Sequence, residues 1–194
     1  KSADVIRYHP LSLWRVDVYK RQVLYDKPIC WPFTLSMCAP ISDGAAALVV
    51  CSDTALSDFD RTRAIEIRGM SLASGMQREF SDYKNHVGRR AAMQAYSQAG
   101  ITATDIDVVE LHDATAFAEI QQIENLGLCE SGQGGPFTES GATRIGGQVP
   151  VNPSGGLVSK GHPVGATGVA QVVELVQQLR HEAGERQVKG ASIA

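Results

Sequence analysis

The sequence predicts an α/β protein in which helices pack on a layer of strands. Residues 63–70 alternate isoleucine with charged side chains, Ile65 and Ile67 being the apolar members, which is typical of a half-buried strand. Residues 165–181 carry apolar side chains at helical spacing instead. These are Val169, Val172, Val173, Val176 and Leu179. The two periodicities in one chain indicate the mixed fold class.

The elements before residue 112 alternate between strand and helix. Residues 45–51 form an apolar run that predicts a buried strand. Residues 84–99 predict a helix with alanines along one face, and Gly100 is the expected C-terminal cap. Residues 106–111 predict the next strand.

The second half continues the same alternation. Residues 115–126 predict a helix with either Ile123 or Leu126 facing inward. Residues 129–149 are rich in glycine and small polar side chains, so a surface loop is expected there. A last strand is expected from Val188.

Composition and charge exclude several classes of function. The formal net charge is −3 with no long basic run, which argues against a nucleic-acid partner. No apolar stretch predicts a membrane span or a signal peptide. The four cysteines lack the paired spacing of a zinc site or a disulfide framework, so we expect no metal and a reducing, cytoplasmic location. They are Cys30, Cys38, Cys51 and Cys129.

Residues 152–168 are the most informative segment, because they join a glycine-dense loop, one histidine and the start of a helix. Five glycines allow positive φ and close approach to a ligand. They are Gly155, Gly156, Gly161, Gly165 and Gly168. His162 precedes the helix, where amide groups and the helix dipole favour developing negative charge.

A second histidine follows the strand predicted at 106–111. His112 and Asp113 stand at its carboxyl end, where ligands bind in open α/β sheets. Such a pair alone is more often a capped turn than a site. The loop that carries His162 can bring a second imidazole to the same sheet edge, so the two histidines are expected to share one cavity.

Three motifs together resemble the thiolases, enzymes that condense or cleave acyl-CoA thioesters. The glycine-rich loop around Gly161-His162-Pro163 resembles their active-site histidine loop. The segment Ser42-Asp43-Gly44-Ala45-Ala46-Ala47 resembles a second family motif, and His112-Asp113 a third. His112-Asp113 is similar to the His-Asp-Cys-Phe form of lipid-transfer and sterol-carrier-type thiolases, from which Ala114 and Thr115 depart.

The resemblance implies a thiolase-like layered fold. Residues 25–60 would be the end of the family's N-terminal domain, and residues 61–194 a truncated C-terminal domain. Residues 1–24 fit nothing in the family and are expected to be foreign to the fold or disordered. The nucleophilic cysteine of the family lies in the N-terminal half, so this fragment alone is expected to be inactive.

The resemblance also implies an activity, acyl-CoA acyl transfer by condensation or thiolysis, with the CoA thioester as substrate and no further cofactor. His162 would activate the nucleophile and, with a water held by His112, stabilise the oxyanion. Substrate-binding roles are implied for Asp113, Asn152, Gly155, Gly156 and Gly161. A homodimer, and in some relatives a small zinc-ribbon and OB-fold partner, is also implied.

Two other functions remain open on the sequence. The first is a retro-aldol lyase that acts on steroid-like acyl-CoA side chains, as some relatives of the lipid-transfer branch are. The second is a non-catalytic module that binds acyl-CoA or lipid. The intact Gly161-His162-Pro163 favours acyl transfer over the lyase.

Overall fold

The computed structural model describes residues 21–194, so most of the segment predicted to be foreign lies outside the described residues. The described part begins with helical residues 21–24, which belong to the segment predicted to be foreign or disordered. An antiparallel hairpin of β1 (Pro28–Cys30) and β2 (Phe33–Thr34) follows. No helix in this part of the chain is long and apolar enough to cross a membrane.

Five α-helices follow within the described residues. They are α1 (Val87–Ala99), α2 (Ala116–Asn125), α3 (Gly134–Glu139), α4 (Gly156–Lys160) and α5 (Thr167–Leu179). The first, second and fifth were predicted from periodicity. Helix α1 ends at Gly100, whose φ of 67° is the left-handed cap expected there.

Helix α3 corrects the loop expected over residues 129–149. Its Phe137 packs against a buried cluster that includes Ile123, which is fully buried on α2. Ile123 is therefore the inward residue of the predicted pair, although Leu126 also contacts this cluster. The sequence did not predict this helix because it is rich in glycine and its apolar surface is too short to show a helical periodicity.

Within residues 21–194, none of the four predicted strands forms a ladder, because the β1–β2 hairpin is the one sheet there. Residues 106–111 pair only through an isolated bridge at Val109, and the segment from Val188 is extended without strand pairing. Residues 45–51 are exposed except for the half-buried Ala46, with Val49 85% accessible, so the expected buried strand is wrong for this chain. Residues 63–70 are also unpaired: Arg63 contacts Arg180 and Glu182 beyond α5, whereas Gly69 lies against the backbone of Ala95 in α1. Within residues 21–194, no neighbouring strand pairs with either segment.

Residues 106–111 form the middle of the layer that positions the site. The amide of Asp107 donates to the carbonyl of Ile193 at 2.9 Å, and Val109 donates to Pro150 at 3.0 Å. Val109 also pairs in parallel with Val151. Extended segments from three parts of the chain therefore lie side by side.

The two faces of this layer pack on different helices. Val108 belongs to a buried cluster with Val188, against which Leu175 of α5 packs. Leu111 belongs to the other cluster, with Ile123 of α2. The alternation expected of a strand thus places helices on both faces, which is the α/β architecture predicted from the sequence.

Helix α5 only partly follows the stripe expected to face inward: Leu179 packs against the Val108 cluster and three of the valines are half-buried. Val172 is exposed, whereas Glu174 and Gln178 are buried. These polar side chains are tolerated because they are hydrogen-bonded. The Gln178 amide donates to Glu174 Oε1 at 3.0 Å and accepts from the Val188 amide at 2.8 Å. Periodicity alone missed them because it counts only apolar side chains.

Candidate active site

The structure brings His112 and His162 together. His112 directly follows the extended segment 106–111, and His162 lies between α4 and α5. Their ring centroids are 4.9 Å apart and their planes make an angle of 82°, an edge-to-face arrangement. His112 is exposed and His162 half-buried, so a ligand can reach the pair from solvent. The two rings are therefore in contact, as the positions of the two motifs predicted, and their catalytic roles stay predictions.

A single segment, residues 38–44, ties the two histidine-bearing loops together. The amide of Ala39 donates to Ala114 at 2.9 Å, and the amide of His162 donates to Pro40 at 2.9 Å. Gly161 lets the loop approach closely, because a side chain there would overlap Ser42. The residues just before the Ser42 motif therefore hold His162 in place.

Asn152 connects the His112 segment to the glycine-rich loop. Its Oδ1 accepts from the amide of Leu111 at 2.8 Å, and its own amide donates to Val109 at 2.7 Å. Its φ is 50°, a left-handed conformation that asparagine tolerates better than most residues. Among the described residues, its buried Nδ2 meets no acceptor in good hydrogen-bond geometry, although it lies close enough to the Glu119 carboxyl to lower the pKa of that group. Asn152 thus fixes the backbone immediately before His112.

Asp113 holds the N-terminus of α4. The side chain is only 2% exposed, and its oxygens accept from the amides of Leu157 at 2.7 Å and Val158 at 3.3 Å. A carboxylate here satisfies two free amides of the first turn and complements their positive charge. Gly156, the first helical residue, lies against this carboxylate and leaves no room for a Cβ, while Gly155 caps the helix with a φ of 102°.

Glu110 provides a second anchor that the sequence did not reveal as part of the site. Its buried carboxylate accepts from the Ser154 amide at 3.0 Å and the Ser154 hydroxyl at 2.7 Å, and lies 3.7 Å from Lys160 Nζ. Burial raises the pKa of Glu110, which these partners partly offset. The one sequence feature that could have indicated this role is the presence of an acidic residue inside the apolar run 108–111.

Glu119 adds a third acidic side chain near these anchors. Burial raises its pKa first, the charge of Asp113 raises it further, and the Asn152 amide lowers it. A raised carboxyl pKa stabilises the fold below the ordinary value of 4.5, and this contribution is lost as pH rises through the folded-state pKa.

Thr167 contacts His162 from the first turn of α5. Its hydroxyl lies 2.7 Å from His162 Nδ1 and donates to the carbonyl of Pro163 at 3.1 Å. Thr167 is 2% exposed. It lies within the glycine-rich motif, yet residue type alone gave no sign that it touches the histidine.

The arrangement suits acid–base chemistry at a carbonyl group. Two imidazoles in contact can accept a proton and donate hydrogen bonds to one oxygen. Across residues 21–194, no group of three or more histidine, cysteine or acidic side chains is placed to hold a metal ion. The described cysteines are free thiols, and none forms a hydrogen bond with either histidine in this part of the chain.

Comparison with known proteins identifies the family. Residues 69–194 match the thiolase C-terminal domain-like family. This chain belongs to the thiolase family. The match includes both histidines and the glycine-rich loop, as the sequence motifs indicated.

Two curated relatives illustrate the range of similar proteins. An acetyl-CoA acetyltransferase of Methanothermobacter thermautotrophicus is 42% identical over 190 residues, covering 95% of this chain and 49% of that protein. Human sterol carrier protein 2 is 39% identical over 193 residues, covering 96% of this chain and 35% of that protein. This member of the thiolase family thus spans half or less of their length.

A solved structure shows the same fold. The "Ltp2-ChsH2(DUF35) aldolase" superposes with a TM-score of 0.73 at 23% identity, covering 88% of this chain and 45% of that chain. Within residues 21–194, the helices on both faces of the extended layer are therefore those of a thiolase-like α/β fold. The domain boundaries at residues 24 and 60 stay predictions.

Proposed function

We propose that this chain is the C-terminal half of an acyl-CoA acyltransferase of the thiolase type. The observation that carries the proposal is the contact between the rings of His112 and His162, whose centroids are 4.9 Å apart. The acetyl-CoA acetyltransferase that is 42% identical to the chain supports the same reaction class.

In the proposed reaction, a cysteine thiol from the N-terminal half attacks the thioester carbonyl. His162 takes the thiol proton, because the thiolate is the reactive form. The carbonyl oxygen gains negative charge as the carbon–sulfur bond forms. The protonated His162 and a water held by His112 donate hydrogen bonds to that oxygen, and CoA leaves as its thiol after receiving the proton. In condensation the acyl group then passes from the cysteine to the carbon of a second acyl-CoA. In thiolysis the steps run in reverse: the cysteine cleaves the 3-oxoacyl-CoA between C2 and C3, the shorter CoA ester leaves after it takes up a proton, and the thiol of free CoA removes the acyl group from the cysteine.

The remaining predicted site residues support this chemistry by fixing the backbone. Asp113 anchors α4, whereas Asn152 anchors the segment before His112. Gly155 and Gly156 begin α4, and Gly161 lets the loop approach Ser42. We propose that these five residues shape the acyl-CoA pocket chiefly through the backbone they hold.

We also propose the assembly that the family resemblance implies. The complete protein would be a cytoplasmic homodimer that needs no cofactor beyond its CoA thioester. A small zinc-ribbon and OB-fold partner is a further proposal, and the solved aldolase carries a second component in its name, ChsH2(DUF35).

Product analysis of the complete polypeptide tests the function. With a 3-oxoacyl-CoA and free CoA, the proposal expects two acyl-CoA products for each substrate consumed, resolved by chromatography and mass spectrometry. A 3-hydroxyacyl-CoA cleaved to an aldehyde or ketone, without thiolysis, would replace acyl transfer by retro-aldol cleavage. Saturable binding without any product would indicate the non-catalytic module.

A further inference from the structure

We infer that Thr167 is a positioning residue that sets which ring nitrogen of His162 carries the proton. The inference rests on the proposed function for its catalytic meaning, but its structural basis is independent of the reaction. Thr167 is buried beside the histidine ring, and its hydroxyl contacts both Nδ1 of His162 and the carbonyl of Pro163.

The hydroxyl has one hydrogen and two neighbours that compete for it. Thr167 Oγ1 lies 3.1 Å from the Pro163 carbonyl oxygen, four residues earlier in the chain. Threonine at a helix position commonly donates to that carbonyl. If the hydrogen pointed to His162 instead, two oxygens would face each other at 3.1 Å with no hydrogen between them, which is repulsive.

The proton on His162 follows from this assignment. Because the hydroxyl donates to Pro163, its oxygen can only accept from the imidazole, 2.7 Å away. Nδ1 must therefore carry the proton, so Nε2 has a free lone pair. A neutral imidazole with a free Nε2 can remove a proton from a thiol, and the N–H formed there can then bind an oxyanion.

Thr167 thus has the role that a hydrogen-bonded carboxylate or carbonyl has beside many active-site histidines, namely to fix the tautomer and orientation of the ring. Thr167 differs from a surface threonine because it is buried against residues 162–163, whose backbone is fixed by hydrogen bonds. His162 N–H donates to Pro40, and Pro163 accepts from the amides of Ala166 and Thr167.

The test measures the tautomer of His162 directly. Histidine-selective 15N labelling of the complete polypeptide, read by long-range 1H–15N correlation at a pH where His162 is neutral, distinguishes a protonated from a bare ring nitrogen. The His162 signals are assigned by their loss in His162→Ala. We expect a protonated Nδ1 in the wild type and in Thr167→Ser, and a shift toward protonated Nε2 in Thr167→Val.

A protonated Nε2 in the wild type, or an unchanged tautomer in Thr167→Val, would overturn the inference. Thr138→Val is the matched control, since the buried Thr138 hydroxyl has no partner among the described residues and no contact with either histidine. If the protein also shows thiolysis, kcat for Thr167→Val should fall roughly tenfold or more with little change in KM, and Thr167→Ser should restore it. A wild type without thiolysis would refute the proposed function while leaving the tautomer result intact.

Discussion

Replacement of His162 by alanine is expected to lower kcat for acyl-CoA thiolysis by roughly a thousandfold in the complete polypeptide. The substitution removes the base that accepts the thiol proton and a hydrogen-bond donor to the oxyanion, each of which supplies factors of this order in well-studied enzymes. Steady-state rates with a short 3-oxoacyl-CoA measure the loss. Because the half-buried ring packs against His112, the variant is compared with wild type by thermal unfolding to separate catalysis from folding.

His181→Ala is the matched control, because His181 lies beyond the end of α5 and makes no contact with the paired histidines. It should retain the wild-type rate. If His162→Ala kept a rate within about threefold of wild type while remaining folded, His162 could not be the base, since general-base catalysis contributes roughly a hundredfold or more.

The second large effect concerns stability. Gly156→Ala is expected to lower the free energy of unfolding by about 2–4 kcal/mol, measured by chemical denaturation. The backbone at Gly156 has a φ of 63°, which alanine disfavours, and an added Cβ would overlap the buried carboxylate of Asp113. Relief of that overlap would displace α4, so thiolysis should also fall.

Gly168→Ala provides the comparison within the same motif. Gly168 lies in the first turn of α5 with open space around the position of a Cβ. Alanine there should stabilise the protein by roughly 0.5–1 kcal/mol, because it loses less conformational entropy in a helix. Equal effects of the two substitutions would show that the contact with Asp113 does not constrain Gly156.

The sequence was sufficient for the elements whose local pattern agrees with their tertiary surroundings. Helix α1, with its glycine cap, and helix α2 followed from periodicity. The pairing of His112 with His162 followed from the position of each at the end of an element. These predictions succeeded because chain direction and strand ends determine where such residues meet.

Other features depend on contacts between distant parts of the chain and could not be read from local pattern. The buried side of α5 includes Glu174 and Gln178, which find partners near the C-terminal end of the chain. Val49 is exposed because no described segment packs on it. The hydrogen bond between Thr167 and His162 likewise depends on the turn geometry at Pro163.

The roles of the two anchoring carboxylates, Asp113 and Glu110, also could not be predicted from the local sequence. The family resemblance implied that Asp113 binds substrate, yet its oxygens accept from the amides of α4. Its substrate-binding role stays a prediction, and the direct contact is with the backbone. The role of Glu110 could not be predicted, because a charged residue in an apolar run can be interpreted only when its hydrogen-bond partner, Ser154, is known.

A double-mutant cycle on His112 and His162 tests most directly whether the two rings form one catalytic site. Thiolysis rates are measured for wild type, His112→Ala, His162→Ala and the double variant of the complete polypeptide. Removal of His112 alone is expected to lower the thiolysis rate roughly tenfold. If the two rings share one site, the same removal should lower the rate by less than about threefold once His162 is already absent, because residues in contact are energetically coupled. Losses that multiply independently, with the double variant slower by the full product, would contradict a shared site.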